Sequence, residues 1–226
     1  PENGIGAVNW PSMRSTIRCG HPSLNCISAL EVSSHPLYSE AVRITIDARK
    51  LHDYGIGTYV RNLLRQLALL DKETDYVLLC RREDADFAET LGENFKALTE
   101  RAGQYSVTEQ ISVPIHVGRT APHLFHTPHY VLPALTPCRS IVTIHDCIHL
   151  LFPQYLRNRM AHIYARTMYW TAVHRASRIL TVSEASKRDI LRFFDVPQER
   201  VTVTPTQSTR LFMRILQKKR LTEFAN

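Results

Sequence analysis

The chain has no run of about 18 apolar residues, so no stretch reads as a membrane-spanning helix. It has no C-x-x-C pair, and its five cysteines are odd in number and irregular in spacing. Neither a disulfide framework nor a cysteine-rich zinc site fits that pattern. The thiols, including Cys80, Cys138 and Cys147 at or near predicted strands, read as reduced, which places the protein in the cytoplasm. Residues 1–40 lack a continuous apolar core of the signal-peptide kind. Internal repeats and heptads are missing, and so are the patterns of nucleic-acid readers, so no nucleic-acid partner is expected. Acidic residues are the minority charge: the net charge is +7. That balance suits a phosphorylated substrate or an anionic membrane, or is a basic surface without a partner.

What is present is an ordinary globular composition, 44% hydrophobic over 226 residues. Residues 1–40 are rich in Ser, Pro, Asn and Gly without a period, and read as a disordered or atypical extension. Order begins with the alternating run Val42-Arg43-Ile44-Thr45-Ile46, a strand ending in Asp47. A loop with Gly55-Ile56-Gly57 leads to a helix for which Thr58 is the expected N-cap. Tyr59, Leu63, Leu64, Leu67 and Leu70 give that helix its apolar face. Tyr76 to Cys80 is a buried strand, and strand–helix–strand makes a right-handed parallel unit.

Residues 81–100 read as a helix plus loops and residues 105–107 as a short strand. Residues 109–117 read as a short helix interrupted near Pro114. Further strands are expected at residues 123–126, 140–144, 178–182 and 201–204. A long amphipathic helix is expected over residues 154–176, with Leu156, Met160, Ile163, Tyr164, Met168 and Val173 on its apolar side. Ser183 is the expected cap of a helix over residues 184–194. The alternation defines an α/β fold, a doubly wound parallel sheet of Rossmann-like kind.

In such a sheet, ligands bind beyond the carboxyl ends of the strands. That rule selects the segments from Asp47 to Gly57, His126 to Tyr130, His145-Asp146 and Ser183-Glu184. Gly55 and Gly57 before a helix suit close approach of an anion, or a plain tight turn. His145-Asp146 ends a β-branched strand and suits hydrogen bonding or proton transfer to a sugar or phosphate, or a structural role. His126-x2-His129 and His145-x3-His149 have zinc-like spacing, but no third ligand completes a site, and no metal is assigned. Arg157, Arg159, Arg166 and Arg175 make the long helix basic, either as a solvated face or for an anionic membrane or phosphorylated acceptor.

Five of these segments together resemble the family 4 glycosyltransferases. They are Ile46-Asp47-Ala48-Arg49 with Tyr54-Gly55-Ile56-Gly57-Thr58-Tyr59; Leu124-Phe125-His126-Thr127-Pro128-His129-Tyr130-Val131-Leu132-Pro133; Val142-Thr143-Ile144-His145-Asp146; Ile179-Leu180-Thr181-Val182-Ser183-Glu184-Ala185-Ser186; and Val201-Thr202-Val203-Thr204-Pro205. The resemblance covers residues 42–205 and implies the N-terminal, acceptor-side half of a GT-B fold. It implies a retaining hexosyltransferase of mannose or glucose type, with a nucleotide diphosphate sugar as donor, no cofactor, and a glycan or lipid-linked acceptor. By the same resemblance, His145 and Asp146 are the catalytic candidates, and Gly55, Ile56, Gly57 and Thr58 form the diphosphate and acceptor loop. His126, His129, Tyr130, Ser183 and Glu184 line the acceptor cleft. A peripheral place at the inner face of an anionic membrane also fits.

Beyond Pro205 the family's pattern stops. Residues 206–226 form a basic tail without the linker and the donor-binding second domain that the family carries. Synonymous codons for residues 207–226, read two nucleotides later, encode a peptide that resembles this linker. The tail therefore reads as a frameshift product and the chain as inactive alone. The rival reading is a standalone basic module that binds a polyanionic glycan or a membrane.

Overall fold

In the computed structural model, residues 42–103, 106 and 108–204 are described. The expected extension over residues 1–40, the strand over residues 105–107 and the tail over residues 206–226 lie wholly or mainly outside them. Seven strands form one parallel sheet: β1 Arg43–Asp47, β2 Asp75–Cys80, β3 Phe95–Thr99, β4 Leu124–Thr127, β5 Arg139–Thr143, β6 Arg178–Thr181 and β7 Val201–Val203. Their order is β3-β2-β1-β4-β5-β6-β7. The chain runs outward to one side from β1, returns to β4 and runs outward to the other side. The order therefore reverses between β1 and β4, which is where a doubly wound sheet opens its ligand crevice.

The helices are α1 Tyr54–Leu70, α2 Ala85–Glu89, α3 Glu109–Arg119, α4 Ile148–Leu151, α5 Arg159–Arg175 and α6 Glu184–Phe193. Right-handed crossovers send them to opposite faces according to the direction of travel. One core holds Val60, Leu63, Leu64 and Leu67 of α1 against Ile44, Ile46, Tyr76 and Leu78 of the sheet. The other holds Val113 and Val117 of α3, Met168, Tyr169, Ala172 and Val173 of α5, and Ile190 of α6. Each fully buried Leu, such as Leu64, contributes on the order of 2 kcal/mol through removal from water.

Four expectations need correction. The segment from Gly55 to Thr58 is not a loop with a cap but the first turns of α1, which begins at Tyr54 behind Asp53. Within the charged stretch of residues 81–100, Phe95–Thr99 is the edge strand β3, three of whose five residues face solvent, as an edge allows. Pro114 lies inside a continuous α3 and costs it a hydrogen bond without ending it. The long helix starts at Arg159 rather than residue 154, because the Asn158 side chain accepts from Ala161 N at 2.8 Å. Its buried stripe is Ala165, Met168, Tyr169, Ala172 and Val173, and Met160 and Ile163 point outward. Ser183 caps α6 as expected, accepting from Ser186 N at 3.1 Å.

No described helix is long and apolar enough to cross a membrane. The described cysteines Cys80, Cys138 and Cys147 are free thiols.

Candidate functional site at the strand-order reversal

The carboxyl ends of β1 and β4 meet the N-terminus of α3 in a buried ionic cluster. Arg49 grips Asp47 with two bonds, Nε to Oδ1 at 2.9 Å and Nη2 to Oδ2 at 2.6 Å, and Nη2 also donates to Glu109 Oε1 at 2.7 Å. All three side chains are buried. Burial alone would lower the Arg49 pKa, but Asp47 and Glu109 outweigh it and hold the guanidinium charged. Next to it Lys50 Nζ donates to Asp53 Oδ2 at 2.8 Å. Asp47, Arg49, Lys50, Glu109, Thr127, His129 and Val131 line a crevice with room for about one water.

His145 follows β5 and is partly exposed. Its Nε2 lies 3.0 Å from the carbonyl oxygen of Pro128, which can only accept, so Nε2 carries the proton. Burial lowers the pKa of the ring, with the Pro128 carbonyl and Asp146 acting in the opposite sense. The neutral imidazole therefore presents Nδ1 as a hydrogen-bond acceptor. The His145 carbonyl accepts from Ser186 Oγ at 2.7 Å, which ties it to the first turn of α6. Asp146 is exposed, and its Oδ1 accepts from Ile148 N at 3.0 Å, at the start of α4.

Beneath His145 lies a chain of buried polar groups. His126 Nε2 and Thr143 Oγ1 are 2.9 Å apart, and Thr143 Oγ1 is 3.4 Å from the Tyr59 hydroxyl. His126 has no exposed surface, and burial followed by the proximity of His145 pushes its pKa down to about 3. His129 is also buried, and burial, then Lys50 and other nearby cations, holds it well below the ordinary histidine value. Tyr130 is stacked on Tyr169, with centroids 4.0 Å apart.

The residues selected from sequence thus divide. His145, Asp146, Gly55, Thr58, Ser183 and Glu184 reach the surface at the carboxyl end of the sheet, with Ile56 half-buried beside them. His126, His129, Tyr130 and Gly57 are buried, so they support that surface from below rather than forming its face. Sequence reasoning missed Glu109, and held Arg49 and Lys50 only within the segment from Asp47 to Gly57, without a role for either. The available signal was a pair of cations directly after a buried strand, where burial demands a carboxylate partner. Among the described residues, no group of three or more His, Cys, Asp or Glu side chains is placed to hold a metal ion.

In an open parallel sheet of this order the ligand crevice lies at these carboxyl ends, where the imidazoles, the paired lysine and the helix N-termini collect. The family model for Glycosyltransferase Family 4 matches residues 54–206, more than half of the chain, and the chain belongs to that family. Among solved structures it is similar to Anabaena Alr3699/HepE in complex with UDP, at 15% identity and a TM-score of 0.48, covering 73% of this chain and 43% of that one. It is also similar to a glycosyltransferase from Rickettsia africae ESF-5, at 9% identity and a TM-score of 0.47, covering 74% of this chain and 43% of that one. The UDP-N-acetylglucosamine 2-epimerase from Rickettsia bellii matches at 11% identity and a TM-score of 0.49, covering 78% of this chain and 47% of that one. The chain spans less than half the length of these structures. No curated protein matches it. The described residues are therefore a Glycosyltransferase Family 4 domain built on a seven-stranded parallel sheet.

Proposed function

We propose that this domain is the acceptor-side half of a retaining hexosyltransferase that uses a nucleotide diphosphate sugar and a glycan or lipid-linked acceptor. The observation that carries the reading is the placement of His145. A neutral imidazole, its Nε2 proton held by Pro128, stands half-exposed after β5, in contact with Tyr59 of α1 and tied through its carbonyl to Ser186 of α6. Nδ1 accepts a hydrogen bond from a hydroxyl of the sugar in transit and fixes its orientation, and the helix N-termini favour the leaving diphosphate. Gly55 leaves the first turn of α1 bare for that approach, since nothing stands within 4 Å of where its Cβ would be. Asp146, Ser183 and Glu184 form the rim that meets the acceptor, with Lys50 and His129 below it.

Donor binding and most diphosphate stabilisation belong to a second Rossmann-like domain, so the domain by itself does not turn over. The test joins this chain to a family 4 donor domain and follows transfer of labelled hexose to glycan and lipid-linked acceptors. The expected result is transfer with retention at the anomeric carbon, reduced at least about a hundredfold by His145→Ala. A folded fusion that binds donor yet transfers to no acceptor, or transfers equally well with His145→Ala, overturns the reading.

A further inference from the structure

From Cys147 to Ser183 the sequence contains no Asp or Glu, while Arg157, Arg159, Arg166, Arg175 and Arg178 all fall there. The structure shows what that stretch turns outward. On α5, opposite the buried stripe, Met160 is 70% exposed, Ile163 56% and Trp170 56%, flanked by exposed Arg159 and Arg166. The turns before α5 add Tyr155, 72% exposed, and the exposed Phe152 and Ile148. Among the described residues, no ion pair involves Arg157, Arg159, Arg166 or Arg175. A solvated helix face has no reason to carry Met, Ile and Trp along its centre.

We propose that the outer face of α5, together with the turns from α4 to α5, docks on an anionic lipid bilayer. Charge complementarity selects that occupant. Aromatic and aliphatic side chains at the centre of a face edged by arginines suit the boundary between acyl chains and negatively charged headgroups. A helix of 17 residues is about 25 Å long, enough to lie along the surface without crossing it. Each arginine close to such a surface strengthens partitioning about fivefold. Trp170 lies over the His174 ring, with centroids 4.4 Å apart, which leaves its other face for the interface. Since α4 follows His145-Asp146 directly, the Ile148, Phe152 and Tyr155 end of the face lies beside the open end of the sheet. The docking surface stands on these residues whether or not the transferase reading holds.

The test uses the full chain and sedimentation with vesicles of phosphatidylcholine, with and without a third of phosphatidylglycerol. The intact chain binds the anionic vesicles, and the Trp170 emission shifts to the blue in a Trp10→Phe background. Arg159→Glu with Arg166→Glu, and separately Met160→Ser with Ile163→Ser, each weakens binding at least about tenfold. Arg65→Glu with Lys96→Glu makes the same change in net charge at exposed positions on other elements and leaves binding within about twofold. Thermal melts check that all variants fold. Absence of binding by the intact chain, undiminished binding by the α5 variants, or an equal loss in the charge-matched control overturns the proposal. So does a concentration-dependent dimer, seen by ultracentrifugation, that the α5 variants dissolve while vesicle binding persists.

Discussion

The rings of Tyr59 and His145 meet at 85° with their centroids 4.9 Å apart. This edge-to-face contact joins the first helix to the second residue beyond β5, across the point where strand order reverses. The Tyr59 hydroxyl continues the link downward to Thr143, and Thr143 in turn to His126. One residue of α1 therefore sets the floor on which His145 rests.

Tyr59→Phe keeps the ring contact and removes the hydroxyl, leaving Thr143 with one partner fewer in a buried place. The expected loss is about 1 kcal/mol in a urea melt. Tyr59→Ala also removes the ring and is expected to cost about 3–5 kcal/mol. Imidazole 15N shifts should show His145 keeping its Nε2 proton in Tyr59→Phe and populating both tautomers in Tyr59→Ala. An unchanged tautomer in Tyr59→Ala refutes the positioning role.

His126 gives the domain a pH dependence with a definite sign. Its pKa is about 3 when folded, against an ordinary value near 6.5 in the unfolded chain. Between those values the unfolded state binds a proton that the folded state refuses, so stability falls as pH drops through that window. His129 and His145, also held low by burial, act in the same sense. His126 alone is expected to remove on the order of 2 kcal/mol between pH 6.5 and pH 5. His126→Gln can still bond Thr143 and has no proton to gain, so its urea midpoint should fall less over that range. Equal slopes for the two proteins would show that His126 is not the group responsible.

The two glycines of α1 should respond in opposite directions. A Cβ on Gly55 meets nothing within 4 Å, so Gly55→Ala is expected to stabilise the helix by up to about 1 kcal/mol. A Cβ on Gly57 would stand 2.8 Å from the Lys50 carbonyl oxygen and closer still to that of Leu51. Gly57→Ala must displace that turn, at a cost of about 1–3 kcal/mol. Thermal melts of the pair decide it: if both variants behave alike, the close approach of α1 to the β1 turn is wrong.

The fold was legible where burial dictates pattern, and obscure elsewhere. Ile44, Ile46, Leu78, Val142 and Leu180 are core residues in strands whose β-branched and apolar runs announce them. β3 did not announce itself, because an edge strand with exposed Lys96 and Ala97 looks like the charged stretch around it. The start of α1 was hidden because glycines are poor helix formers; Gly57 is there for the close packing, not for a loop. On α5, an apolar residue every three to four positions identified a helix but not its buried side. Ala165 and Ala172 hold the inner face, while Met160, Ile163 and Trp170 lie outside. At the site, the ends of the strands point to His145, which stands half-exposed just beyond β5. They could not reveal that Glu109, sixty residues further on, closes the Asp47–Arg49 pair, because that contact exists only in three dimensions.

That three-residue cluster gives the sharpest stability prediction. Arg49 is the shared cation of two buried carboxylates, bidentate to Asp47 and bonded to Glu109. Arg49→Met leaves two anions in a dry place without it and is expected to cost about 3–5 kcal/mol. Arg49→Lys keeps the charge but not the planar fork, so it cannot meet both carboxylates in the same geometry and should lose about 1–3 kcal/mol. Glu109→Gln removes one anion and leaves the Asp47 pair intact, so its loss should be smaller than that of Arg49→Met. Urea melts of the two single variants and of Arg49→Met with Glu109→Gln complete a cycle. In the double variant only Asp47 remains charged and stranded, so it should be more stable than the sum of the single losses implies. Simple additivity would mean that Arg49 and Glu109 do not act on one another, and that α3 is not tied to β1 through this cation.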